Sequence, residues 1–317
     1  MNREAVPDFP ELVDLGLEHK PLLDDLFREL QPKTSELTFT NLYIWRHVYG
    51  LKLTRMGAAA GTAAVVCLIS WRADPEDSFL LPPLGEGAGV EHVRQVFDFL
   101  AGEGHAARMA RVDEDGLARL CIARDDFDVQ SDRDNFDYVY RVRDLIDLPE
   151  DRYRDKVVHF NSFARKYKYE YRPLTPDLVE GCLFVQDLWC DDKHCDLHSS
   201  LRAERQAVRE VLENHEALGV AAGPQGRLTG GVIVVNDRVQ AFSLGEPLNA
   251  NTVVIHIEKA SPELHGAFAV MNREFLANAW QGYEFVNREQ DVGDAGLRRA
   301  KESYLPATMI EKFIVRP

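Results

Sequence analysis

Three strand-like runs follow one another with no helix between them, at residues 228–235, 239–244 and 252–259. Asn236-Asp237 separates the first two, and both residue types tolerate the left-handed backbone that a tight hairpin turn requires. Consecutive strands of this kind exclude a doubly wound sheet made by strict strand–helix alternation. Around them, residues 152–168 read as an amphipathic helix with Val157, Phe160, Ala164 and Tyr167 near one face. A strand at 169–174 follows, then a helix from Pro176 capped by Thr175, and a helix over about 199–218. Beyond the three strands lie a helix (264–281), a strand (283–289), a short helix (295–303) and a last strand (309–315). The expected class is α/β, a mixed sheet with helices on its faces.

The first half is a looser copy of this order. Helices are expected at 20–30 and 37–48, and strands at 51–55, 63–71 and 78–81. A helix at 90–103, a strand at 106–112, a helix at 114–121 and a strand at 135–142 complete it. The repetition implies a duplicated architecture, and 317 residues suffice for two cores. The break is expected where Leu148-Pro149 disfavours continued helix, giving domains 1–147 and 148–317.

The formal net charge of −15 is uneven. Residues 1–150 hold 16 Lys+Arg against 28 Asp+Glu, and residues 151–317 hold 21 against 24. The acidic first half repels polyanions, so indiscriminate nucleic-acid binding is excluded. The longest apolar stretch, 63–71, is far shorter than the roughly 20 residues of a membrane span. With no secretory h-region near the start, the expected location is cytoplasmic, with no membrane partner. Five cysteines, an odd number, fit reduced thiols better than a disulfide framework.

Alternation along 252–259 places Val254, His256 and Glu258 on one strand face. A base must remove a proton from an amine that attacks an acyl carbon, and either His256 or Glu258 is of the right type. The plainer alternative is that Glu258 pairs with a cation and His256 packs beside it. The run Asn287-Arg288-Glu289-Gln290-Asp291 ends a strand and leads through Gly293 to a helix, where α/β proteins hold ligands. Asn287 and Glu289 share one face, and Arg288 can clamp a carboxylate or phosphate. On that helix Leu297, Lys301 and Tyr304 form one stripe. Tyr304 is a general-acid candidate, or else a packed ring with a hydrogen-bonded hydroxyl.

Residues 152–172 hold seven Lys+Arg against two Asp+Glu, with Arg165, Lys166 and Lys168 close together. Such a run is commonly a solvated helix face, and contact with tRNA phosphates is the alternative. The stretch WCDDKHCDLH at 189–198 crowds Cys190, His194, Cys195 and His198 too closely to surround one ion, so no metal is expected. Trp189 there is a pocket wall or a core residue. Ser35 suits the N-cap of the helix that follows it. Phosphate-loop, nucleophile-elbow and zinc-protease motifs are absent from the sequence.

Four segments resemble one family: SELTFTNLYIW at 35–45, AFSLGEPL at 241–248, VVIHIEKA at 253–260 and YEFVNREQDVGDAGLRRAKESYLPA at 283–307. They are similar to the family named after the C-terminal domain of phosphatidylglycerol lysyltransferase, and the likeness spans essentially the whole chain. It implies tandem domains of the GNAT acyltransferase type. It also implies acyl or aminoacyl transfer to an amine on a small-molecule acceptor, with acyl-CoA or aminoacyl-tRNA as donor and no further cofactor. Members that bind coenzyme A carry a glycine-rich loop holding the pyrophosphate at a helix N-terminus. Here residues 261–267 read Ser-Pro-Glu-Leu-His-Gly-Ala, in which Gly266 alone matches and Glu263 adds negative charge. That departure favours the rival reading, a non-catalytic ligand-binding or regulatory protein that keeps the fold.

Overall fold

The computed structural model describes residues 6–57, 64–220 and 228–317. The first residue of the strand expected at 63–71 lies outside them. The chain divides into two compact units, one of residues 1–137, 290–294 and 309–317, the other of residues 138–289 and 295–308. The division falls ten residues or so before the expected 147/148, for a reason of strand pairing. Val139, Tyr140 and Arg141 pair with Asn287, Val286 and Phe285, so the strand Asp137–Arg141 is built into the second sheet. The final strand, Phe313–Arg316, pairs instead with Met109–Val112 and Asp128–Ser131 in the first sheet.

The first unit holds a mixed sheet in the order Val13–Asp14, Leu51–Met56, Val65–Ser70, Phe79–Leu80, Met109–Val112, Phe313–Arg316, Asp128–Ser131. Phe79–Leu80 and Met109–Val112 are its parallel pair. The helix Val90–Gly102 lays Val93, Val96, Phe97 and Leu100 on this sheet, against Cys67, Ile69 and Val112. Helix Phe39–Tyr49 is capped by Thr38, whose hydroxyl accepts from the Asn41 N–H at 3.2 Å. The cap is thus three residues beyond Ser35, which is occupied otherwise: its N–H and hydroxyl both donate to buried Asp137 at 2.8 Å.

The second sheet runs Asp137–Arg141, Phe285–Asn287, Thr252–Ala260, Arg238–Pro247, Thr229–Val235, Tyr169–Pro173, with Thr308–Ile310 at its outer edge. The hairpin at Asn236-Asp237 forms as expected, with φ of 50° and 59°. Val232–Val235 and Val253–Ile255 are near-continuous apolar runs because helices cover both faces. Ala267–Phe275 covers one face, reaching Glu258 through Asn272, and Val179–Lys193 covers the other, where Trp189 meets Lys259. Cys190 and Cys195 are joined by a disulfide, contrary to the expectation of reduced thiols throughout. The helix turns over at His194, φ 53°, which brings the two sulfurs together. Among the described residues, no helix is long and apolar enough to cross a membrane.

Candidate functional site

In the second unit Thr252–Ala260 pairs in parallel with Phe285–Asn287 at three positions only: Thr252 with Phe285, Val253 with Val286 and Val254 with Asn287. On its other side the same strand stays paired with Arg238–Pro247 as far as Ala260. Residues 255–260 therefore run on while their parallel neighbour turns away. The turn is local in origin. Glu289 adopts a left-handed φ of 56°, and the Asn287 side-chain oxygen accepts the Glu289 N–H at 2.8 Å, an Asx-type closure.

A β-bulge shapes what faces this parting. Leu244 pairs with Ile257 and Gly245 with Ile255, which leaves His256 as the extra residue. Gly245 is required there, since a Cβ would stand 2.5 Å from the Val254 carbonyl oxygen. The bulge corrects the simple picture of His256 and Glu258 working side by side, because each engages its own partners. His256 is 1% exposed, and its ring bonds Glu289 through Nδ1 at 2.9 Å and Glu246 through Nε2 at 3.0 Å. Burial alone would lower its pKa, but the two carboxylates outweigh burial and raise it to about 9. At neutral pH the ring is an imidazolium that donates from both nitrogens.

Glu258 accepts from Arg288 Nη2 at 2.9 Å and from Asn272 Nδ2 at 3.2 Å. The Arg288 guanidinium lies 5.0 Å from the Tyr304 ring centre and 5.7 Å from that of Tyr140. Its other terminal nitrogen, Nη1, is buried and has no hydrogen-bond partner among the described residues. A donor left in that state costs about 1–3 kcal/mol, which a bound acceptor would recover. Lys156 also lies over the Tyr304 ring, 4.2 Å from its centre, with its pKa lowered by burial and by Arg288. Burial drives the Tyr304 phenol up to about 12 against the pull of Arg288, so it stays protonated and able to donate.

Glu258, Arg288 and Tyr304 are thus brought together, and Asn287, Glu289 and His256 frame the turn beside them. Lys301 serves that turn: its ammonium donates to the backbone carbonyls of Arg288 and Glu289, and Tyr140 donates to the Lys301 carbonyl at 2.9 Å. Trp189 stands elsewhere. It lies 3.4 Å from the Lys259 ammonium, on the sheet face away from Glu258, because adjacent strand residues point oppositely. Gly266 (φ 89°) begins the helix Ala267–Phe275, but a Cβ there would meet the His159 carbonyl oxygen at 2.7 Å. The glycine is accounted for by that close approach of helix Glu150–Lys166. Arg165 and Lys166 end that helix exposed, the former donating to the Asn161 carbonyl.

Glu246, Asn272 and Tyr140 were not singled out from sequence. Glu246 had a signal: a carboxylate inside an otherwise apolar strand, directly after the glycine of AFSLGEPL. Among the described residues no group of three His, Cys, Asp or Glu side chains is arranged to hold a metal ion.

The fold is found in known structures. A conserved protein of unknown function from Bacteroides thetaiotaomicron VPI-5482 superposes with a TM-score of 0.83 at 32% identity, over 96% of this chain and 98% of that one. FemX gives 0.58 at 9% identity over 96% of both chains, and L-PGS from Bacillus licheniformis gives 0.54 at 12% over 83% of both. The fold is a tandem of two GNAT-like domains. The model of the family "Phosphatidylglycerol lysyltransferase, C-terminal" matches residues 27–316, and the chain belongs to that family. No curated protein matches the chain closely enough to count as a relative.

Proposed function

We propose that the second unit transfers an acyl or aminoacyl group to the amine of a small-molecule acceptor at the parting of Thr252–Ala260 and Phe285–Asn287. The observation that carries this is the parting itself, lined by a carboxylate, a guanidinium with an unused donor and a protonated phenol. The sequence left the base open between His256 and Glu258. An imidazolium cannot accept a proton, so the role falls to Glu258, whose oxygens keep lone pairs beyond the two hydrogen bonds they accept.

In the reaction the amine nitrogen bonds to the donor's carbonyl carbon while Glu258 takes the N–H proton. Collapse of the tetrahedral adduct breaks the bond to the leaving oxygen or sulfur, which receives the Tyr304 proton. Solvent then returns a proton to Tyr304 and removes one from Glu258. Arg288 Nη1 binds an anionic group of donor or acceptor, either the phosphate of an acyl-CoA or the phosphate of an aminoacyl-tRNA.

Label transfer from acetyl-CoA and from aminoacyl-tRNA to a panel of amines tests this. Glu258→Gln is expected to lose about 10²–10⁴-fold in rate with the fold intact. Failure of both donors to bind at near-millimolar acetyl-CoA or micromolar tRNA would remove the proposal. A second reading, a non-catalytic protein that binds a small anion here, is favoured by the Glu258–Arg288 pair, which already neutralises both charges. Under it, Glu258→Gln leaves ligand affinity intact and no turnover exists to lose.

A further inference from the structure

The first unit has its own parting of parallel strands, and a cavity lies there. Phe79–Leu80 and Met109–Val112 pair at a single position, Leu80 with Met109. Just past their carboxyl ends is a cavity of about 150 Å³ to which Pro82, Arg111 and Asp113 contribute. Ligands in α/β folds collect at this kind of place. The volume is the share of roughly five water molecules at about 30 Å³ each, room for a ligand of a few heavy atoms.

The lining has two opposite charges that the fold does not pair. Arg119 donates from Nη1 to the Pro83 carbonyl at 2.9 Å, and among the described residues no carboxylate is within ion-pair distance of it. Burial lowers its pKa, with Asp113 opposing. Asp113 is a carboxylate whose pKa burial raises. One of its oxygens caps the helix Glu114–Arg119 through the Gly116 N–H at 2.8 Å, and no cation lies within ion-pair distance among the described residues. Thr34 also lines the cavity; it is 2% exposed, and its hydroxyl is buried without a hydrogen-bond partner among the described residues. Leu30 and Leu37 supply apolar wall.

The remaining charges are satisfied: Lys33 pairs with Asp115 at 2.5 Å, and Arg111 pairs with Glu36 at 3.4 Å and Asp132 at 3.0 Å. Arg111 nevertheless holds a left-handed φ of 64°, a strained conformation for a non-glycine residue that gathers at ligand sites.

We infer that this cavity binds a small zwitterion, an α-amino acid with a short side chain. Its carboxylate meets Arg119, its ammonium meets Asp113, and the Thr34 hydroxyl bonds either group. A simple anion would leave Asp113 facing it, and a simple amine would leave Arg119 uncompensated. The inference does not rest on the transferase reading, since it concerns the other unit and needs no turnover.

Titration calorimetry on the full chain, with no acyl donor present, tests it. Glycine, alanine and serine are compared with acetate, methylamine and inorganic phosphate. The expected result is saturable binding of at least one amino acid, about tenfold or more tighter than acetate or methylamine. Arg119→Gln and Asp113→Asn should each weaken it by about tenfold or more. Asparagine remains a good N-cap, so the second variant removes the charge without removing the helix cap. Thr34→Val is a milder third test. Equal binding of acetate or phosphate, binding unchanged in the two charge variants, or no binding of any amino acid would each overturn the inference.

Discussion

The two sheets are built to one plan but stabilise their buried charges differently. Each has a parallel pair near the middle, with its sixth strand supplied from the other half of the sequence. Each also encloses one cation between two carboxylates. In the first unit Lys312 lies 2.6 Å from Glu36 and 2.7 Å from Asp137, at 0% exposure. In the second, His256 lies between Glu246 and Glu289. The second pin is an imidazolium whose two carboxylates raise its pKa to about 9. The lesson is that one architecture can carry a lysine pin in one copy and a histidine pin in the other.

The largest expected effect is at the lysine pin. Lys312→Met removes a buried ammonium from between Glu36 and Asp137, and breaking such a pair costs about 3–5 kcal/mol. Burial already holds the Glu36 carboxyl above its ordinary range, against the attraction of Lys312, so Glu36→Gln should cost distinctly less. Chemical denaturation read by hydrogen exchange at Phe313–Arg316 measures both. Equal losses would break the distinction between pin and partner.

Next in size is the histidine pin. The folded pKa of His256 is about 9 against an ordinary 6.5, so the folded state binds the proton more tightly. The resulting stabilisation is complete below pH 6.5 and is lost as pH rises through 9, roughly 3 kcal/mol in all. Amide exchange in Thr252–Ala260 should quicken from pH 7 to 9.5, after correction for intrinsic rates, and His256→Gln should flatten that trend. If Phe313–Arg316 shows the same slope, the contrast between the two units fails.

The element order could be read from sequence because hydrophobic period is a local signal. The hairpin at Asn236-Asp237, the strand 252–259 and the helix at 90–103 needed nothing from distant residues. Strand exchange could not be read, since Tyr138-Val-Tyr and Phe313-Ile-Val look like strands whichever sheet receives them. The site was legible in part. His256 and Glu258 stood out by alternation along one strand and Arg288 at the end of another, and the family-like segments that carry them do converge. The partition of roles was hidden by the bulge at His256, which shifts register by one residue and gives that ring a carboxylate on each side. Lys312 was overlooked because a single cation before an apolar strand resembles an ordinary surface residue until Asp137 is brought to it. Trp189 stands apart from Glu258 for a related reason: strand alternation assigns Lys259 to the far face, and the tryptophan follows the lysine.

The smallest effects concern two glycines, each of which opens a helix in one of the units. Gly266 has φ 89°, and a Cβ would press on the His159 carbonyl oxygen at 2.7 Å and the Phe163 Cβ at 3.2 Å. Gly266→Ala should cost about 1–3 kcal/mol through backbone strain and that contact. Gly89 begins Val90–Gly102 with an extended φ of −160°, and its nearest neighbour to a Cβ is the Gly87 oxygen at 4.0 Å. Gly89→Ser should change stability by no more than about 0.5 kcal/mol, because serine is a good N-cap and meets no obstruction. Thermal melting of the two variants separates a glycine kept for close packing from one kept by circumstance. The pair also bears on the donor. If Gly266→Ala melts like wild type yet loses binding of acetyl-CoA, the glycine serves a phosphate rather than the helix contact, and the two helix starts differ in function instead of packing.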